Sequence, residues 1–164
     1  MVLGYAKLRL AAVSAVALLV FAAAATPGRA QAARDAPVAM QRFVGAWDLV
    51  DWRTTSSTGE VAFPYGENAK GRITYSVEGG MSAHLMRPPA DPADAPRQYL
   101  GYWGTFSLDT AARTVTHHVV GSDQANWIGS DQVRGFRFEG SDRLVLSLGS
   151  NQLTWVRIGS SAQR

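Results

Sequence analysis

The stretch THHVVGSDQANWIGSDQVRGFRF, residues 116–138, decides how the chain folds. It joins a β-branched run to an aromatic run through two turn-forming Gly-Ser-Asp tripeptides, at 121–123 and 129–131. Side chains along a strand alternate between its two faces. Gln132, Arg134, Phe136 and Phe138 therefore share one face. If the two phenylalanines point into an interior, Gln132 and Arg134 point there as well. A polar pair inside an apolar interior is costly unless something pairs with it. Either a buried carboxylate such as Asp131 or Asp48 meets Arg134, or a ligand does.

Working outward, β-branched and aromatic runs bounded by turn residues predict eight strands. They cover roughly 46–53, 70–77, 80–87, 99–108, 113–120, 132–138, 143–148 and 152–158. Glu78-Gly79-Gly80, Asp109 to Ala112, Gly140-Ser141-Asp142 and Gly149-Ser150-Asn151 are short connections, which join antiparallel neighbours. Ile73, Tyr75 and Val77 are expected on one face, and Leu144, Leu146 and Leu148 on another. Eight such strands end economically as a barrel or a sandwich. Closure removes the sheet edges, so the expected fold is all-β, an eight-stranded antiparallel up-and-down barrel. Val38 to Val44 reads as a short helical turn capping one end with Phe43 and Val44. Three connections exceed plain hairpins: Thr54 to Ala69, the proline-rich Arg87 to Arg97, and Gly121 to Asp131. The first is placed across the barrel mouth.

The expected organisation is a signal peptide over 1–32, a polar lead-in over 33–42, the barrel over 43–158 and a flexible tail over 159–164. Lys7 and Arg9 precede an apolar run from Leu10 to Ala25, then Pro27, Gly28 and the small-x-small triplet Ala30-Gln31-Ala32, the pattern of a cleaved export signal. At about 16 residues the apolar run falls short of the ~20 that a spanning helix needs. Export to the periplasm or the medium is expected, with no membrane attachment after cleavage. Of the 16 basic residues, Lys7, Arg9 and Arg29 lie in this segment, and none of the 13 acids does. The remaining chain balances 13 charges of each sign, without the basic excess of a nucleic-acid binder. It also has no cysteine, so disulfides and thiol chemistry are excluded.

Gly45-Ala46-Trp47 at the start of the first strand is similar to the Gly-x-Trp signature of lipocalins and fatty-acid-binding proteins. A wider set follows in order: Gly71-Arg72-Ile73-Thr74-Tyr75, Gly80 to Arg87, Tyr102 to Phe106, Val115 to Val119, Asn126-Trp127-Ile128-Gly129 and Gln132-Val133-Arg134. Over nearly all of 43–158 it resembles the bacterial and fungal lipocalin-like domain family. The resemblance implies a lipocalin-like barrel holding a small molecule, without naming that molecule. The chain departs from lipocalins in having no disulfide cysteines. It departs from fatty-acid-binding proteins in carrying Leu153-Thr154-Trp155-Val156-Arg157 where their carboxylate-holding Arg-x-Tyr stands. The lipocalin likeness also implies that a late arginine, here Arg157, packs over Trp47 as a structural cation–π pair.

Candidate ligand contacts are Tyr75, His84, Tyr102, His117, Asn126, Trp127, Gln132, Arg134 and Phe136. Gly45, Trp47 and Arg157 are the structural set. His117 and His118 are adjacent on a strand, so at most one faces inward, and Val115 and Val119 on its face tip the choice to His117. No metal-ligand spacing such as His-x-x-x-His occurs, and no metal or cofactor is expected. No Gly-x-Ser-x-Gly elbow supports Ser122 or Ser130 as a nucleophile. Three functions stay open. The first is a binding module for a partly apolar small molecule. The second is an isomerase, cyclase or hydratase using His117 or His118 with Arg134. The third is an exported scaffold without a ligand.

Overall fold

The computed structural model describes residues 37–89 and 98–159. The expected signal peptide, positions 33–36, most of the proline-rich connection and the tail beyond 159 lie outside the described residues.

Strand β1 runs Gly45–Thr55, β2 Val61–Ala62, β3 Lys70–Tyr75, β4 Gly80–Arg87, β5 Gln98–Asp109, β6 Thr114–Ser122, β7 Asp131–Glu139, β8 Arg143–Leu148 and β9 Asn151–Arg157. Each of β3 to β8 pairs antiparallel with the next, and β1 closes the sheet by pairing with both β3 and β9. The result is a closed eight-stranded up-and-down barrel. The two-residue β2 is an addition that the sequence did not signal; it pairs Thr54 with Ala62 and Thr55 with Val61 at the end of β1. The third strand stops at Tyr75, two residues short of the expected end. Val77 lies in the turn and is 73% exposed, so it does not share the inner face of Ile73 and Tyr75. A Gly-Gly turn outweighs the β preference of a single valine.

The interior is filled from one end. Residues 37–43 are helical and deliver Phe43, fully buried, into that end of the barrel. Its ring stands 5.0–6.2 Å from those of Tyr75, Phe106, Phe136 and Phe138. Burying a phenylalanine contributes about 1.5–3 kcal/mol. Below it, Trp47 donates from Nε1 to Phe43 O at 2.9 Å, and the Arg157 guanidinium lies 4.1 Å from the Trp47 ring centre. Arg157 also donates to Val44 O and Arg42 O. Gly45 makes this packing possible. Its φ is +128°, and a Cβ there would lie 2.7 Å from Arg157 Nη1.

Two irregularities shape the other half. Register shifts between Leu49 and Asp51, where β1 pairs with β9, and between Trp103 and Gly104, where β5 pairs with β6. At the second, Gly121 and Val119 pair with Trp103 and Gly104, leaving Val120 as an extra residue, the signature of a bulge. A Cβ on Gly104 would stand 1.9 Å from His118 O, so this close approach admits only glycine.

Candidate ligand site

Away from the Phe43 plug the barrel holds a cavity of about 170 Å³. Its walls are mostly apolar, with Trp52, Ile73, Leu100, Leu146, Leu153 and Trp155 among them. Three other wall residues come from the set predicted from sequence: Tyr102, Trp127 and Arg134. Ala83, directly opposite Tyr102 on the neighbouring strand, leaves room there. Two larger hollows of about 440 Å³ each are grooves on the outside of the barrel. One lies beside helix 37–43, and the other is bordered by Asp48, Arg72, His84 and Tyr99. Of the three, the 170 Å³ cavity is the one whose wall combines residues from strands all round the barrel, from Trp52 on β1 to Trp155 on β9.

Arg134 enters the interior because it keeps step with Phe136 and Phe138 on β7. One of its guanidinium nitrogens donates to Gln132 Oε1 at 3.2 Å and another to its neighbour Val133 O at 3.1 Å. Gln132 is in turn fixed by donating to Ser130 Oγ. The Trp127 ring centre is 5.9 Å from the guanidinium carbon. No carboxylate among the described residues bonds to Arg134. The two acids considered from sequence are engaged elsewhere: Asp48 accepts from Arg72 at 2.8 and 3.2 Å, and Asp131 is 2.7 Å from His118. Trp127 reaches the wall from the short 3-10 turn Ala125–Trp127 and meets Tyr102 edge-on at 5.3 Å.

His117 is completely buried between two tyrosines. The Tyr75 hydroxyl lies 2.8 Å from its Nε2 and the Tyr102 hydroxyl 2.9 Å from its Nδ1. A neutral imidazole has one N–H and one lone pair, so one tyrosine donates and the other accepts. Burial, reinforced by the electrostatic influence of Arg134 and His118, pushes the imidazole pKa down to about 3. Burial likewise pushes the Tyr102 phenol up to about 12, with Arg134 opposing. This trio is neutral at physiological pH. Both ring nitrogens of His117 are occupied, so among the three only Tyr102 touches the cavity.

Other predicted contacts stand elsewhere. His84 is exposed on the outer face, 2.6 Å from the Tyr99 hydroxyl. Its neighbours Ala83 and Leu85 take the interior, so alternation excludes it from the wall. Asn126 is exposed on the 3-10 turn. Phe136 packs against Phe43 in the plugged half, and Tyr75 serves His117 and the plug. Gln132 acts on Arg134 rather than on the cavity. Sequence reasoning misses Trp155, Trp52 and the leucines of β5, β8 and β9 as wall residues, although Leu144, Leu146 and Leu148 are expected on one face and the last two do line the cavity.

His118 points outward. Its Nε2 lies 2.9 Å from Ser107 Oγ and its Nδ1 2.7 Å from Asp131 Oδ1, the connectivity of a serine-hydrolase relay. A hydrolase also needs two donors aimed at the developing oxyanion. Backbone N–H groups in a sheet point sideways to neighbouring strands, so none rises off this face beside Ser107. Ser107–His118–Asp131 is a network that ties β5, β6 and β7 together on the outer face. Among the described residues no three His, Cys, Asp or Glu side chains converge to hold a metal.

The sequence matches the family described as "Lipocalin-like domain" over residues 44–163. The chain belongs to the lipocalin-like domain family. No curated protein matches it. Among solved structures, this lipocalin-like chain is similar to an uncharacterized protein from Bacteroides eggerthii at 11% identity and a TM-score of 0.46. The match covers 70% of this chain and 98% of that one, and at that level it carries no functional argument. Membership and the closed barrel together make small-molecule binding the general expectation for the lipocalin-like chain.

Proposed function

We propose that this lipocalin-like protein is exported to the periplasm or the medium, where it binds a small, partly apolar molecule bearing an anionic group. One observation carries the reading: a guanidinium with no carboxylate partner among the described residues stands on the wall of a mostly apolar cavity. Ligand sites are commonly built as an apolar enclosure with a few convergent polar groups. A planar guanidinium suits a carboxylate because it can offer paired donors. Export is supported by the sequence of residues 1–32, with its basic start, apolar run and small-x-small triplet. Catalysis by a histidine gains no support, since His117 has no free ring nitrogen and His118 lies outside the barrel.

Native mass spectrometry of protein purified from the extracytoplasmic fraction, followed by tryptophan-fluorescence titration with small carboxylates and their neutral amides, tests the reading. Acids are expected to bind roughly tenfold or more tighter than the matching amides, the worth of one charge-assisted hydrogen bond. Arg134→Gln is expected to erase that preference while leaving the fold intact. A protein that ignores the whole panel, or a preference that survives Arg134→Gln, overturns it.

A further inference from the structure

The two outer grooves differ in charge. One carries Asp48 and Arg72 on the same wall, and they are tied to each other. The other is walled by helix 37–43, by the turn that joins β5 to β6, and by β7, and no acidic residue lines it. Val38, Ala39, Phe136 and Phe138 supply its apolar part, while Arg42 stands on the helix and Arg113 at the turn. Arg137 borders it too, but alternation sends its side chain to the face of β7 opposite the two phenylalanines, where it donates to Glu139. Asp109, next to the turn, is outside the wall and engaged by Ala112 N at 2.8 Å.

Arg42 is fixed at the groove. Its guanidinium carbon is 4.0 Å from the Phe138 ring centre, and one terminal nitrogen donates to Gly140 O at 2.7 Å. Arg113 is held differently. Nine described residues have a positive φ, and eight of them are glycines; the ninth is Arg113, at +53°. A side chain in that left-handed region costs stability that glycine would not. The Arg113 carbonyl is used, accepting from Phe136 N at 2.9 Å. Its exposed guanidinium has neither hydrogen bond nor ion pair among the described residues. No contact within the barrel accounts for a long cationic side chain at this place.

We infer that this groove is a second binding site, for a phosphate monoester carrying an apolar group. Two guanidiniums with no acid in the wall match a dianion better than a single carboxylate. A phosphate also has enough terminal oxygens to accept from arginines on two separate elements. The apolar group lies along Phe136 and the helix, and the volume of about 440 Å³ falls within the ~300–1,000 Å³ of ordinary small-molecule sites. The groove shares no wall residue with the interior cavity, so this site goes beyond the function proposed above and does not depend on Arg134.

The test adds phenyl phosphate to the purified extracytoplasmic protein at low salt, followed by phosphorus NMR and calorimetry. Phenyl phosphate is expected to bind about tenfold tighter than its monoanionic methyl ester, and to weaken as salt is raised. Arg113→Gly should lower that affinity about tenfold and yet raise the melting temperature by about 3 °C, because the strained residue is relieved. Arg113→Asn, which also tolerates the left-handed region, should lose the same affinity, which separates the missing guanidinium from a change of backbone. Arg134→Gln should leave the binding unchanged. Vesicles containing phosphatidic acid form a second arm. Binding of phenyl phosphate in solution identifies a free monoester as the ligand, and binding to the vesicles alone identifies a lipid headgroup; either supports the inference when Arg113→Gly abolishes it. Silence in both arms, equal binding of the methyl ester, or binding that survives Arg113→Gly overturns it. So does an affinity lost with Arg134→Gln instead, which would place the probe in the interior cavity and leave the function proposed there standing.

Discussion

The barrel contains two arginines set against indoles, and they are employed differently. Arg157, at the plugged end, lies 4.1 Å from Trp47 and donates to two main-chain carbonyls, Val44 O and Arg42 O. Both terminal nitrogens of that guanidinium are answered from within the chain. Arg134, at the cavity, lies 5.9 Å from Trp127 and, among the described residues, bonds to its neighbour's carbonyl and to a side-chain amide two residues away. The same guanidinium is a clasp in one half of the molecule and an unfilled claim in the other. The difference arises from packing. Phe43 fills its half with aromatic rings, while Ala83 and the leucines of the other half leave space.

Four experiments press on that contrast, in descending order of effect. Removing the plug with Phe43→Ala should destabilise the fold by about 3–5 kcal/mol in urea unfolding, the range for a fully buried aromatic. A much smaller loss would mean that the plugged end is not a packed core. The next test concerns acid. His117 has a folded pKa of about 3, below its ordinary 6.5, so between these values the unfolded chain binds more protons than the folded one. Stability is then full above about pH 6.5 and falls as the pH drops toward 3, with a slope of up to about 1.4 kcal/mol per pH unit. His117→Gln should flatten that part of the profile. Profiles that coincide would show that the histidine does not titrate differently on folding.

The arginines themselves come third. Arg157→Met should cost about 1–3 kcal/mol, because hydrogen bonds and a cation–π contact are lost and carbonyls lose their donors. It should leave acid–amide selectivity unchanged. Arg134→Met should change stability by no more than about 0.5 kcal/mol, in keeping with partners that are near neighbours on its own strand, and should abolish the selectivity. Equal stability losses would erase the distinction drawn here. The smallest effect belongs to the outer network. Ser107→Ala should shift stability by less than about 0.5 kcal/mol, and a fluorophosphonate probe should leave Ser107 unlabelled. Stoichiometric labelling would show an oxyanion site that the sheet geometry does not provide.

Much of the architecture was legible because two-residue periodicity survives almost everywhere. The shared face of Arg134, Phe136 and Phe138 follows from counting along one strand, and the position of Arg157 over Trp47 was implied by family likeness. His84 shows the cost of setting that count aside, since Ala83 and Leu85 already assigned it to the outside. Other features depend on which strands meet. The tyrosines flanking His117 come from β3 and β5, and no local pattern on β6 reports them. The bulge at Gly104 and the short β2 are consequences of register.

The pairing of Trp47 with Arg157 joins positions at opposite ends of the domain, so the ring of strands cannot be sealed until its final segment exists. Up to that moment the growing polypeptide can form only an open ribbon with two raw borders, and contacts this remote in sequence are slow to assemble.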